Sequence, residues 1–317
     1  MSQSKRIAIL MLGGARRVSL AEHLIADGRR MGYEVEIFSY ELNAEVPIAS
    51  VGKIVIGRRW KDADVVDHLV QTIREHRIDI VLPFVDGAIS IASECKRQLP
   101  EVFIPVSPEE IAVAMYDKAL AAEMFAQAGI AIPTTYNTEQ CSYPAIAKPR
   151  FGSASKGITV LENESQLLEL PRPEDYLIQE YIRHREEYTV DCYVSQAGEP
   201  LYIVPRLRID VVGGEVAQTR TCRNEQLIES SRDIIKAIPF RGPITIQFIR
   251  DLDNDRYLLM EINPRLGGGV VCSMHAGAPL SEYLFKESKG IGVEECKNWE
   301  DNLFITRYFK EVVFHGK

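Results

Sequence analysis

The first hundred residues set the strongest constraint on the fold, because wholly apolar runs alternate there with segments of helical period. Ile7 to Leu12 is continuously apolar and closes on Gly13-Gly14, as a strand buried on both faces requires. Leu20, Ala21, Leu24, Ile25, Gly28 and Met31 then recur at helical spacing up to Gly32. Tyr33, Val35 and Ile37 alternate as a strand, and Val65, Val66, Leu69, Val70 and Ile73 mark a helix. Ile78 to Phe84 is a strand, and Ala88 to Leu99 reads as a helix. Strands alternating with helices predict a parallel sheet built of βαβ units.

The pattern changes near residues 105–110. Ser107-Pro108-Glu109-Glu110 combines a capping residue, a proline suited to the first helical position and the glutamate of a capping box. The helical pattern runs on through Leu120, Met124, Phe125 and Ala128 to Gly129. Beyond it strands shorten, glycine turns multiply and helices thin out. The expected organisation is a parallel α/β domain over 1–107 and an α+β domain over 108–317. A length of 317 residues accommodates both, at ~150 residues per domain.

Composition narrows the function classes. Apolar residues make up 46% and charged residues 26%, which excludes a disordered or fibrous chain. A net charge of −8 disfavours binding of nucleic acid or anionic membrane by charge. No apolar run approaches the ~20 residues of a membrane span, and the run after Lys5-Arg6 lacks a signal-peptide cleavage pattern. The six cysteines, Cys95, Cys141, Cys192, Cys222, Cys272 and Cys296, form no C-x-x-C pair. Reduced thiols in a cytoplasmic protein are expected.

Two nucleotide motifs are tested and fail. Gly13-Gly14-Ala15-Arg16-Arg17-Val18 does not give G-x-G-x-x-G, and Ile158-Thr159 stands where a P-loop needs Lys-Ser/Thr. The segment around Gly152 to Gly157 remains informative. An apolar strand ends in Lys148-Pro149, a small Gly/Ser loop with Lys156 follows, and a second apolar strand comes next. Such a loop can fold over a polyphosphate with its backbone N–H groups. A plain hairpin with a polar tip fits these residues equally well.

The acidic end is sharper. Pro243 to Ile249 and Tyr257 to Asn263 are apolar runs joined by the turn Asp251-Leu-Asp-Asn-Asp255, which predicts an antiparallel pair. Residues i and i+2 share a strand face. Glu261 and Asn263 therefore point the same way, and Gln247 can lie opposite them. Three oxygen-bearing side chains at one place suit Mg²⁺. Arg265 lies one step further, where it can offset charge on a transferring phosphoryl group. Tyr176 to Ile182 reads as a strand ending in a chain reversal that can read an adenine edge. Glu187 can accept from ribose hydroxyls, although alone it reads as an exposed edge charge.

Taken together, these segments resemble the ATP-grasp superfamily, most closely the ATP-grasp module of carbamoyl-phosphate synthase large subunits and stand-alone carboxylate–amine ligases. The resemblance rests on Glu261-Ile-Asn263-Pro-Arg265 with Gln247 upstream, on Asp117-Lys118 at a helix start before Gly129-Ile-Ala-Ile-Pro133, on Gln179-Glu180-Tyr181-Ile182, and on Glu187-Tyr-Thr-Val-Asp191. It implies a pre-ATP-grasp domain over 1–107 and an ATP-grasp domain over 108–317, with a lid at about 135–185 and a catalytic sheet at about 186–317. It implies that Lys118 and Lys148 bracket the ATP phosphates and that Gly152, Ser153, Ser155 and Gly157 belong to the lid. Gln179, Glu180, Tyr181 and Ile182 would hold adenine, and Glu187 the ribose. Gln247, Glu261 and Asn263 would hold Mg²⁺ or Mn²⁺, and Arg265 would be the catalytic arginine. Gly267 and Gly268, with Gly269, would be the approach of the acyl substrate. Both lysines are expected to stay protonated with no unusual pKa.

The activity implied is ligation of a carboxylate to an amine through an acylphosphate, with ADP and phosphate as products. The alternatives are a carbamate- or bicarbonate-phosphorylating module and a nucleotide-binding regulator without turnover. Small-molecule substrates and a homodimer are the expected partners. Arg206 and Arg208 are candidates to grip a substrate carboxylate, as are Arg220 and Arg223. His275 is near enough in sequence to Arg265 to face the site, although a structural role is expected. One module disfavours full carbamoyl-phosphate synthesis by this chain alone. A strand-like tail over Leu303 to Phe314 follows, and without the further C-terminal domain of larger relatives a small substrate or a partner that completes the site is expected.

Overall fold

The computed structural model describes residues 5–152 and 156–315. The first unit runs β1 (Lys5–Leu12), α1 (Val18–Arg30), β2 (Tyr33–Glu41), β3 (Lys53–Ile56), α2 (Val65–His76), β4 (Ile80–Pro83) and α3 (Asp86–Gln98). Its strands form a parallel sheet in the order β3-β2-β1-β4. The central strand explains why its sequence is apolar without alternation. Ile7, Ile9 and Met11 enter one apolar cluster, while Ala8, Leu10 and Leu12 enter another on the opposite face.

The helical pattern that runs on from residue 108 to Gly129 is two helices, α4 (Glu109–Tyr116) and α5 (Lys118–Gln127), the second starting at Asp117-Lys118 as the resemblance implies. Asp117 breaks the run with an extended backbone, and its carboxylate accepts from the Ala119 and Leu120 N–H groups to cap α5. This local side-chain bond competes with helix continuation. Ser107 does not cap α4. Its hydroxyl instead bonds the backbone of Arg241, donating to the carbonyl at 3.3 Å and accepting from the N–H at 3.1 Å.

Two antiparallel sheets follow. β5 (Thr135–Tyr136), β6 (Ala145–Pro149), β7 (Thr159–Leu161) and, after α6 (Glu164–Leu168), β8 (Tyr176–Glu180) make a small sheet in the order β5-β8-β6-β7. The larger sheet contains β9 (Arg185–Val194), β10 (Pro200–Val212), β11 (Glu215–Thr221), β12 (Gly242–Asp251), β13 (Arg256–Asn263) and β14 (Phe304–Thr306). Its order is β13-β12-β9-β10-β11-β14, with α7 (Glu225–Ala237), α8 (Val270–His275) and α9 (Leu280–Glu287) inserted along the chain. The expected tail strand is short: only Phe304–Thr306 pairs, with β11, and residues 307–315 are irregular. Tyr308 and Phe309 there find no sheet neighbour and stay exposed.

A single apolar cluster crosses residue 107. It joins Ile7, Ile9 and Met11 of the parallel sheet to Tyr193, Tyr202 and Val204 of the large sheet and to Leu280, Leu284 and Phe285 of α9. Phe285 is fully buried and packs edge-on against Tyr33, with ring centroids 5.8 Å apart. Phe285→Ala is expected to cost about 3–5 kcal/mol, read as a lowered urea midpoint. An unchanged midpoint would show that this seam does not hold the sheets together.

Candidate active site

A cleft of about 650 Å³ opens between the small sheet, the large sheet and the carboxyl edge of the parallel sheet. β6 brings Lys148 into it almost completely buried, with Nζ donating to Gln179 Oε1 at 3.0 Å. Gln179 is fixed in turn by Nε2 contacts with Pro133 O and Thr135 Oγ1, both 3.3 Å. Burial pushes the Lys148 ammonium down to about 8, against the pull of Glu261 and with a further push from Lys118. The expectation of ordinary lysines therefore fails for Lys148, which still carries its proton at neutral pH. Lys118 starts α5 and donates from Nζ to Gly152 O at 2.6 Å. Arg150 pairs with Asp117 at 3.0 Å from Nε, so one carboxylate both caps α5 and ties down the strand end before the loop. Gly152 has φ +119, a conformation that favours glycine. Gly157 also lies in the described part of this loop, whereas Ser153 and Ser155 lie outside the described residues.

The β12–β13 hairpin pairs Gln247 with Glu261, as the sequence pattern predicts. Glu261 Oε1 accepts from Gln247 Nε2 and from Asn263 Nδ2, each at 2.9 Å. Among the described residues no three His, Cys, Asp or Glu side chains converge on a metal position. The candidate set is instead one carboxylate and two amides. Turning each amide by half a rotation presents its oxygen beside the carboxylate. An all-oxygen set with one charge fits a hard divalent cation that keeps water and phosphate as its other ligands.

Arg265 follows on the same run. Its Nη2 donates to Asn263 Oδ1 at 3.1 Å, and its Nε to Asp86 Oδ1 at 2.8 Å. Asp86 opens α3 at the carboxyl edge of the parallel sheet, the usual ligand edge of open α/β sheets. That position rule was the available signal for it. Glu187 is half-buried between Arg185, 3.1 Å away, and Arg208, 3.6 Å away. Tyr181 and Ile182 line the same cleft. Glu180 lines it too, but its carboxylate is held by Arg256 at 2.8 Å.

Arg206 departs from the expected free carboxylate clamp. It is buried against Asp191, with Nε to Oδ2 at 2.8 Å and Nη2 to Oδ1 at 3.4 Å. Asp191 Oδ2 also accepts from Ser273 Oγ at 2.7 Å. Asp191 shares the face of Glu187 by strand period, a signal present in the sequence but not used. Arg208 does reach the cleft and donates to Thr189 Oγ1 at 3.3 Å. Arg220 and Arg223 do not: Arg220 bonds Asn302, and Arg223 covers Trp299 with its guanidinium 4.3 Å from the ring centroid. His275 also lies outside the cleft, 3.2 Å from His23 between their Nε2 atoms. The Gly13-Gly14 turn gives its backbone N–H groups at Gly14 and Ala15 to the Glu41 carboxylate, whose pKa burial raises. Those two N–H groups are therefore already partnered. Sequence reasoning missed Arg17 and Glu215, which line the cleft from elements 198 residues apart.

Removing Asp191 leaves a buried guanidinium unpaired. Asp191→Ala is expected to cost about 3–5 kcal/mol in urea unfolding, and adding Arg206→Met is expected to recover most of it. A double variant no more stable than Asp191→Ala would contradict this.

The chain is similar to several known proteins. Residues 172–310 match the family model for ATP-grasp in the biosynthetic pathway with Ter operon. The N-terminal section of the carbamoyl phosphate synthase large chain of Methanopyrus kandleri is 26% identical over 177 residues, covering 50% of this chain and 31% of that protein. The chain thus spans about a third of that relative's length. Among solved structures, the biotin carboxylase domain dimer of Hydrogenobacter thermophilus 2-oxoglutarate carboxylase, in complex with MgADP and bicarbonate, has a TM-score of 0.72. It is 15% identical, over 94% of this chain and 73% of that one. The L-amino acid ligase of Bacillus licheniformis gives a TM-score of 0.68 at 17% identity, over 91% of this chain and 75% of that one. These likenesses show a shared fold. By its motifs, its matched segment and its fold, the chain resembles the ATP-grasp superfamily and the carbamoyl-phosphate synthase large chains.

Proposed function

We propose that this chain is an ATP- and Mg²⁺-dependent ligase that joins a carboxylate to an amine through an acylphosphate, releasing ADP and phosphate. The observation that carries this reading is the convergence, in one cleft, of Lys118, Lys148, the Gln247–Glu261–Asn263 group and Arg265. Lys148 and Lys118 would hold the ATP phosphates, under the loop that includes Gly152 and Gly157. Tyr181, Ile182 and the backbone at Gln179 and Glu180 would face adenine, and Glu187 the ribose. Gln247, Glu261 and Asn263 would hold Mg²⁺, which when bound supplies positive charge to the phosphates. Arg265, oriented by Asp86, would balance the charge on the γ-phosphoryl group as the carboxylate oxygen attacks it. Arg208, Gly267 and Gly268 would line the acyl-substrate path. The amine then attacks the acyl carbon, and phosphate leaves with the oxygen it shared with the acid.

A bicarbonate- or carbamate-phosphorylating activity is the second reading, favoured by the sequence match to carbamoyl phosphate synthase. We read 1–107 as a pre-ATP-grasp unit and 108–317 as the ATP-grasp unit. A homodimer is proposed by analogy with the dimer of the 2-oxoglutarate carboxylase domain. A cytoplasmic location is proposed as well. Among the described residues no helix is long and apolar enough to cross a membrane.

Incubation with Mg·ATP and pools of carboxylic acids, bicarbonate, amines and amino acids is expected to give ADP and phosphate only with particular pools. Glu261→Ala is expected to lose this turnover by at least a hundredfold while unfolding at nearly the wild-type urea concentration. AMP and pyrophosphate, or full turnover in Glu261→Ala, would refute the reading. Lys148 adds a pH prediction. Its ammonium is half deprotonated near pH 8 before ATP binds, and a polyphosphate favours the protonated form. ATP affinity is therefore expected to fall as pH rises above 8, by up to about tenfold per unit. Lys148→Arg is expected to flatten that slope in calorimetric titrations, and a slope unchanged in this variant would remove Lys148 from the phosphate site.

A further inference from the structure

Past Arg265 the floor of the cleft is bare backbone. A Cβ on Gly268 would lie 3.1 Å from Arg17 Nη1 and 3.4 Å from Glu215 Oε2, and one on Gly269 would lie 2.7 Å from Arg206 Cζ. Two guanidinium groups therefore come up to the chain where side chains are missing, and both line the cleft.

Neither guanidinium is fully used. Arg206 is 2% exposed, gives Nε and Nη2 to Asp191, and keeps Nη1 buried without a hydrogen-bond partner among the described residues. Arg17 reaches Glu215 only through Nη1, at 3.5 Å, while Arg307 holds the other oxygen of the same carboxylate at 2.9 Å. Three guanidinium groups thus share two carboxylates, Asp191 and Glu215. Positive charge is left over, and Arg16 on the cleft wall adds to it. A buried donor left unpaired is costly, and a guanidinium is best satisfied by a planar carboxylate. Burial also draws the Arg17 pKa down, as expected of a cation short of partners.

We infer that this end of the cleft receives a second carboxylate, so that the acid activated here is a short dicarboxylate. One carboxylate meets the phosphoryl group at Arg265, and the other reaches Arg17 beside Gly268, while Arg206 adds positive charge from beneath the loop. The inference rests on the ligase reading and adds the substrate class to it.

The test compares matched acids on the full chain with Mg·ATP, ammonium ions and mixed amines. Succinate, glutarate and L-aspartate are set against butyrate, valerate and L-2-aminobutyrate, with ADP release as readout. The dicarboxylates are expected to show at least tenfold higher kcat/KM, carried in KM. Arg17→Gln is expected to remove most of that preference, and Arg17→Lys to restore part of it. Equal kcat/KM for the two series, or a preference undiminished in Arg17→Gln, would overturn the inference. Calorimetry of succinate and butyrate in the presence of Mg²⁺ and a non-hydrolysable ATP analogue separates it from the ligase reading. Succinate binding that Arg17→Gln abolishes, with no turnover on any acid, supports the inference and rejects the ligase. Binding of neither acid, or of both equally, overturns the inference even if other acids turn over.

Discussion

The apolar seam between the parallel sheet and the large antiparallel sheet is the constraint on which the rest depends. Ile7, Ile9 and Met11 of β1 pack with Tyr193, Tyr202 and Val204 and with Phe285 of α9 in one cluster. Close-packed interiors transmit position with little give. The seam therefore fixes the carboxyl edge of the first sheet, with Arg17 and Asp86, against the β12–β13 hairpin and the Gly267–Gly269 loop. Arg265 bonded to Asp86 is the polar closure of that same seam.

On this frame the polar groups divide by burial. Asp191, Arg206 and Ser273 form a dry knot beneath the loop after Arg265. Such a knot contributes geometry more than stability, because desolvation offsets much of the attraction. Lys148 is also buried, and its hydrogen bond is to a neutral amide, so burial weakens its ammonium there. The cleft thus holds positive charge that the protein itself leaves incompletely balanced, an arrangement suited to binding anions.

Much of this was legible in the sequence, and the reasons differ by residue. Ile7 to Leu12 reads correctly because a strand covered on both faces has no polar positions to alternate. Gln247, Glu261 and Asn263 meet as the sequence pattern predicts, because a short hairpin and a period of two fix which side chains come together. The helix start at Asp117-Lys118 is legible only through the resemblance, because a cap inside an apolar helical run looks like an ordinary polar residue until its partner Arg150 is known. The tail failed for the opposite reason. Tyr308, Phe309 and Phe314 look strand-like, but β11 offers only Gln218 to Arg220 for pairing with β14. Asp86 with Arg265, 179 residues apart, and Arg17 with Glu215 are products of the tertiary fold. No local pattern encodes them.

In the proposed reaction a carboxylate oxygen attacks the γ-phosphorus of ATP in this cleft. The direct measurement is to supply ¹⁸O-labelled carboxylates with Mg·ATP and amines and to weigh the phosphate released. Transfer through an acylphosphate predicts ADP together with phosphate carrying one ¹⁸O from the acid. Unlabelled phosphate, or AMP with pyrophosphate, would contradict the account.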